Sequence, residues 1–280
     1  MIIDFHTHTF PDKIAEAALT KMRAASHTVT FTDGTVTGLQ SSMRNANIDW
    51  SVVLPVATNP AKVASINDLS AALTEKDGLI YFGCIHPAIE NAKDELRRIA
   101  GLGLKGIKIH PVYQGVDLDD IRFLRILDAA AENNLIVVTH NGDDIGFPGV
   151  IRCTPEMARN ALQQVGAVKL VLAHMGGWRN WERVADALAD TSAYLDTAFS
   201  LGRLTQTEPK HYSSEEELLM GEEEFCRLVR AFGADRILFG TDSPWSSQKG
   251  DVEQILALPL TAEEKTAILS GNAEKLLLKK

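Results

Sequence analysis

Eight short apolar runs, each followed by a stretch with helical spacing, leave few folds open to this chain. The runs are Ile2–His8, Ser51–Ala57, Leu79–Ile85, Lys105–His110, Leu135–His140, Val168–His174, Ala193–Thr197 and Arg236–Asp242. Their lengths suit buried strands, and strands that alternate with helices build parallel βαβ units. Eight such units are the inventory of a (β/α)8 TIM barrel, and 280 residues fit one such domain, 1–280. The expected class is therefore α/β. A doubly wound open sheet is the alternative, but it usually has fewer strands and a glycine-rich first turn. No GxGxxG or GxxxxGK[ST] pattern follows the first run.

The segments between the runs read as helices near Lys13–Ala25, Leu39–Ala46, Ala61–Lys76, Ile89–Ala100, Leu118–Asn133, Thr154–Val165 and Asn180–Ala189. Thr154 and Pro155 have the chemistry of an N-cap followed by a first helical residue. The acidic runs Glu215–Glu217 and Glu222–Glu224 read as solvated helix faces.

In a (β/α)8 chain the chemistry gathers at the C-terminal ends of the strands. Here those ends carry His6, His8, His86, His110, His140, His174 and Asp242, which include six of the eight histidines; His27 and His211 fall elsewhere. His6 and His8 are two apart, so a strand turns both imidazoles to one side. Imidazole and carboxylate together suit a divalent ion, and a catalytic ion needs an open position where bound water becomes a nucleophile. The residues alone do not separate ligands from proton carriers. Asp242, before Ser243-Pro244, could instead cap a turn.

Composition narrows the classes. A net charge of −9 argues against nucleic acid as a partner. Three scattered cysteines, Cys84, Cys153 and Cys226, match no zinc or redox spacing and suggest reduced thiols in a cytoplasmic protein. Nothing at the start reads as a signal peptide, and no apolar run approaches the roughly 20 residues of a membrane span.

Taken together, Asp4-Phe5-His6-Thr7-His8, Gly106-Ile107-Lys108-Ile109-His110-Pro111, Thr139-His140, Ala173-His174-Met175-Gly176-Gly177, Phe239-Gly240-Thr241-Asp242 and the ending Gly271-Asn272-Ala273-Glu274-Lys275-Leu276-Leu277 are specific. Their combination resembles the amidohydrolase superfamily. It is most similar to the amidohydrolase-related branch that includes decarboxylases of aminocarboxymuconate semialdehyde and related aromatic acids. The resemblance implies metal ligation by His6, His8, His140 and Asp242, with His174 as acid or base. It also implies that Asp242 contacts the attacking water and takes its proton.

The resulting expectation is a hydrolase in which a metal-activated water attacks an amide, ester or lactone carbonyl. The alternative is metal-dependent, non-oxidative decarboxylation of an aromatic or unsaturated acid, and a metal-storing barrel without turnover is a third. One ion is expected, zinc with manganese or iron as substitutes, and not a second at Lys108. His110, Trp178 and Trp245 are expected to line a small-molecule pocket. Arg152 is a candidate carboxylate clamp, and His86 is either a hydrogen-bonded wall residue or a substrate contact. A homodimer is compatible with the chain, and no membrane partner is expected.

Overall fold

The structure is a computed structural model that describes residues 1–278. Strand and helix alternate along it, and each expected run holds a strand. The strands are β1 (Ile3–Thr7), β2 (Trp50–Val53), β3 (Leu79–Tyr81), β4 (Gly83–Cys84), β5 (Gly106–Ile109), β6 (Ile136–Thr139), β7 (Lys169–Leu172), β8 (Tyr194–Asp196) and β9 (Ile237–Leu238).

The third run is broken where a single strand was expected. At Cys84, which closes β4, the buried Asn67 side chain accepts the backbone N–H at 2.7 Å and donates to the carbonyl at 3.1 Å. Between β3 and β4, the Phe82 N–H donates to the Val53 carbonyl. A polar helix residue thus supplies bonds that the short strand lacks, which keeps buried backbone groups satisfied.

Contacts divide the chain into two compact units. One comprises Met1–Ser51, Ile145–Pro148 and the chain from Asp196 onward; the other comprises Val52–Asp144 and Gly149–Leu195.

In the second unit β4, β5, β6, β7 and the start of β8 lie side by side in that order, all parallel. Every residue of β5 and β6 is buried, as a sheet covered on both faces requires. Gly106 opens β5 because a Cβ there would come within 2.5 Å of the Ile136 carbonyl and the Phe82 ring. Helices Ala92–Gly101 and Ile121–Glu132 lie against each other and bury Leu96, Ile99, Phe123, Ile126 and Leu127. Each such side chain contributes roughly 1.5–3 kcal/mol by leaving water. The Thr154 hydroxyl accepts the Met157 N–H and Pro155 begins helix Pro155–Gln164, as the sequence predicts. The Gln114 amide donates to the carbonyls of Ala57 and Ile85 and accepts the His110 N–H, tying three strand ends together.

In the first unit β1 runs beside the last strand. The Phe5 N–H donates to the Phe239 carbonyl, the Asp242 N–H to the His6 carbonyl, and Thr7 pairs in parallel with Ser243. Thr197 lies on the other side of β9, its N–H donating to Leu238. The short acidic helix Ser214–Glu217 carries a capping box from Ser213 and Glu216; Glu215 and Glu216 are exposed and Glu217 is half-buried.

Candidate functional site

Two groups of histidine and aspartate stand at the strand ends, one in each unit. In the first unit β1 supplies His6 and His8, and the residues after β9 supply Asp242. His6 Nε2 lies 3.2 Å from His8 Nε2 and 3.3 Å from Asp242 Oδ1, and His8 Nε2 lies 3.1 Å from the same oxygen. His6 is fully buried. Its Nδ1 lies 2.8 Å from Asp196 Oδ2 at the end of β8. A carboxylate oxygen accepts, so Nδ1 carries the proton and the Nε2 lone pair faces Asp242 and His8.

Behind β1, Asp4 accepts from the Thr241 N–H and hydroxyl, the His6 N–H and the Gln248 amide. Burial pushes its carboxyl up to about 7, against the pull of these donated bonds. Asp242 has φ of 65° and caps no helix; its carbonyl accepts the Trp245 N–H in a turn, while Ser247 caps the helix Gln248–Ala257.

This donor set fits a divalent cation. His6 Nε2 and Asp242 Oδ1 both accept, and a proton on His8 Nε2 can point to only one of them. Without a cation, one acceptor faces another. Two imidazole nitrogens on one tetrahedral ion stand about 3.3 Å apart, given bonds of about 2.0–2.1 Å, close to the 3.2 Å seen here.

In the second unit His110 follows β5, His140 follows β6 and His174 follows β7. His110 caps the four-residue helix Pro111–Gln114, its Nδ1 accepting the Tyr113 N–H at 3.4 Å. His110 Nε2 lies 3.4 Å from Asp144 Oδ2. His140 Nε2 lies 3.0 Å from the Asp143 carbonyl, and His140 Nδ1 lies 3.0 Å from His174 Nε2. The His110 ring is stacked between Tyr113, 3.7 Å away, and His140, 4.3 Å away. Carbonyls accept and amide N–H groups donate, so His140 Nε2 carries a proton and His110 Nδ1 carries none. His140 donates to the Asp143 carbonyl, and its Nδ1 shares a hydrogen bond with His174 Nε2.

The loop beneath this group is pinned. The Asp143 N–H donates to the Trp178 carbonyl, and the Asn180 amide donates to Asp143 Oδ1. Gly142, at φ of 94°, leaves no room for a side chain, since a Cβ would come 2.0 Å from the Trp178 nitrogen. His174, Met175 and Gly176 all have positive φ, a run that costs of order 1–3 kcal/mol per non-glycine residue and marks a backbone forced by its surroundings.

The structure thus brings His6, His8 and Asp242 together in one unit, and His110, His140 and His174 together in the other. Trp178 is buried beside the second group's loop; Trp245 is half-buried in the first unit. Arg152 pairs with Asp117 at 2.7 Å. His86 Nδ1 accepts the Ala88 N–H at 3.1 Å, and burial lowers the basicity of its ring. Lys108 is buried on β5 opposite Cys84 and Val138.

Asp196, Asp144 and Asp4 are functional candidates that the sequence reading did not single out. Asp196 had a signal, since it stands next to the end of an apolar run, much as Asp242 ends one. Asp144 had none, because Asn141-Gly142-Asp143-Asp144 reads as ordinary loop punctuation.

A family model described as Amidohydrolase matches residues 3–278. No curated protein matches the chain. Among solved structures, an uncharacterized TIM-barrel protein from Bordetella bronchiseptica is 20% identical, with a TM-score of 0.74 over 99% of this chain and 98% of its own. The 5-carboxyvanillate decarboxylase from Novosphingobium aromaticivorans, complexed with manganese and 4-hydroxy-3-methoxy-5-nitrobenzoic acid, is 16% identical, with a TM-score of 0.70 over 99% and 96%. A 2,6-dihydroxybenzoate decarboxylase complexed with 2,6-dihydroxybenzoate is 13% identical, with a TM-score of 0.67 over 99% and 98%. At these identities the likeness establishes the fold, and the chain has the (β/α)8 class expected from its eight runs.

Proposed function

Because the chain belongs to the amidohydrolase family, we propose that it is a metal-dependent decarboxylase of an aromatic or unsaturated carboxylic acid. The observation that carries this reading is the convergence of His6 Nε2, His8 Nε2 and Asp242 Oδ1, with His6 fixed from behind by Asp196. The choice of reaction is supported by a fold shared, over nearly the whole length, with two decarboxylases of hydroxylated benzoic acids. His6, His8 and Asp242 would hold one divalent ion, zinc or manganese. When bound, such an ion supplies a Lewis acid that orients the substrate's oxygens and acidifies coordinated water.

The chain's own residues then have separate tasks. Asp196 holds the His6 proton on Nδ1, which keeps Nε2 available as a ligand. His174 is assigned proton delivery. In the decarboxylation the bond between the ring or vinyl carbon and the carboxylate breaks and its electron pair stays on that carbon. The carbon takes the proton, and carbon dioxide leaves.

Hydrolysis of a carbonyl by activated water is the second reading, favoured by the family match and by a donor set that serves both reactions. The test is carbon dioxide release from a panel of hydroxybenzoates by protein loaded with zinc or manganese. Turnover of a lactone, ester or amide with no carbon dioxide from any acid would replace the first reading by the second. Absence of stoichiometric metal, with chelation leaving stability unchanged, would sink both.

A further inference from the structure

His86 closes the apolar run that holds β3 and β4, and its surroundings engage one ring nitrogen while leaving the other open. The Ala88 N–H donates to its Nδ1 at 3.1 Å, and the Ile89 N–H donates to its carbonyl at 3.0 Å. Pro87 takes the second position of that turn, where its ring presets the backbone. Nδ1 therefore carries no proton, and the neutral ring holds its proton on Nε2. Among the described residues no acceptor meets that Nε2–H. His86 is only 8% exposed, and a buried donor left without a partner is costly. Nε2 is nevertheless not one of the sealed, partnerless side-chain atoms, such as Asn141 Oδ1 and Gln248 Oε1, so it faces an opening.

His86 also stands in a row with the other imidazoles of the second unit. Cys84 of β4 pairs with Lys108 of β5, and Lys108 pairs with Val138 of β6. Two residues further along, the same register brings His86 level with His110 and His140, and level residues of a parallel sheet point to one side. Gln114 secures the alignment: its amide donates to the Ile85 carbonyl at 2.6 Å and accepts the His110 N–H at 3.0 Å.

We propose that His86 is a substrate-binding residue whose Nε2–H donates to an acceptor oxygen that the substrate carries besides its carboxylate, such as a ring hydroxyl. This rests on the decarboxylase reading for the class of ligand. Burial lowers the basicity of the ring, so His86 offers a hydrogen bond and no positive charge. A carboxylate gains most from a charged partner, whereas a neutral oxygen needs only the donor. An acid without that oxygen leaves the donor unpaired and is rejected on that ground.

The test removes donor and acceptor in turn. Dissociation constants for benzoate and its 2-, 3- and 4-hydroxy derivatives are measured by calorimetry on full-length, zinc-loaded protein. His86→Asn keeps an oxygen to accept the Ala88 N–H and has no atom in the place of Nε2. Preference for one hydroxylated acid over benzoate should be roughly 3–10-fold larger in wild type than in His86→Asn. Any contact of the same hydroxyl with the metal is common to both proteins and cancels. His86→Gln, whose amide reaches the place of Nε2, should restore most of the preference, with bound zinc unchanged throughout.

Equal preferences in wild type and His86→Asn at all three ring positions would overturn the proposal, as would loss of zinc from His86→Asn. Either result leaves the decarboxylase reading standing where wild type releases carbon dioxide. If a lactone, ester or amide is turned over and no acid is, that reading falls, and the same cycle on that substrate and its analogue lacking one oxygen decides the role of His86.

Discussion

The two strand-end groups use the same residue types and reach opposite electrostatic states. In the first unit, His6 Nε2 and Asp242 Oδ1 both accept and His8 Nε2 has one proton to offer between them. In the second, donors and acceptors alternate from the Tyr113 N–H to Asp144, and from His174 through His140 to the Asp143 carbonyl. The first group leaves acceptors facing one another; in the second, donors and acceptors alternate. What separates them is the supporting partner. A carboxylate on His6 Nδ1 turns the outer nitrogen into a lone pair, whereas acceptors on Nε2 of His110 and His140 leave protons there. The same residue types in a cluster can therefore present different faces, according to which ring nitrogen each supporting partner engages.

The largest expected effect follows at the first group. His6→Ala should abolish binding of the divalent ion and lower turnover by roughly a thousandfold or more. Metal content by atomic emission, with unchanged far-ultraviolet circular dichroism, checks it. Retention of the ion would erase the contrast between the groups.

Gly142→Ala comes next. Its Cβ would collide with the Trp178 backbone at a φ of 94°, so unfolding free energy should fall by about 3 kcal/mol or more. Urea denaturation measures this.

Asp196→Asn should weaken metal affinity by roughly 10–100-fold, read by competition with a chelating dye. No change would mean that His6 is oriented without its partner, and the rule drawn from the two groups would fail.

The smallest effect concerns His86, which belongs to neither group. Burial holds its basicity below that of a free imidazole, so the unfolded chain binds its proton more readily. Its contribution destabilises the fold at acid pH and fades as pH rises through the range of an ordinary histidine near 6.5. His86→Asn should flatten the rise in denaturation midpoint between about pH 5 and 7 while leaving metal binding alone. An unaltered slope would contradict it.

Much of this was written in local patterns. The i, i+2 spacing of His6 and His8 survives in any strand, and histidines that close apolar runs mark the C-terminal ends whatever the packing. Thr154-Pro155 announces its helix because capping is local chemistry. The break between β3 and β4 was hidden because its cause, Asn67, lies 17 residues from Cys84. Arg152 looked like a clamp, but its partner Asp117 is 35 residues away. The pairing of His6 with Asp196 spans 190 residues. Such contacts depend on which strands become neighbours, and no window of sequence holds that.

The Asp143 carbonyl that takes the His140 proton has a last consequence, for how selection acts on this chain. A carbonyl belongs to every amino acid, so the letter at position 143 matters only through the Oδ1 that takes the Asn180 amide. What must persist is the path of the backbone, and that path is guarded one residue earlier, where only glycine passes the Trp178 amide. Drift among descendants of this chain should therefore be less tolerated at silent Gly142 than at Asp143.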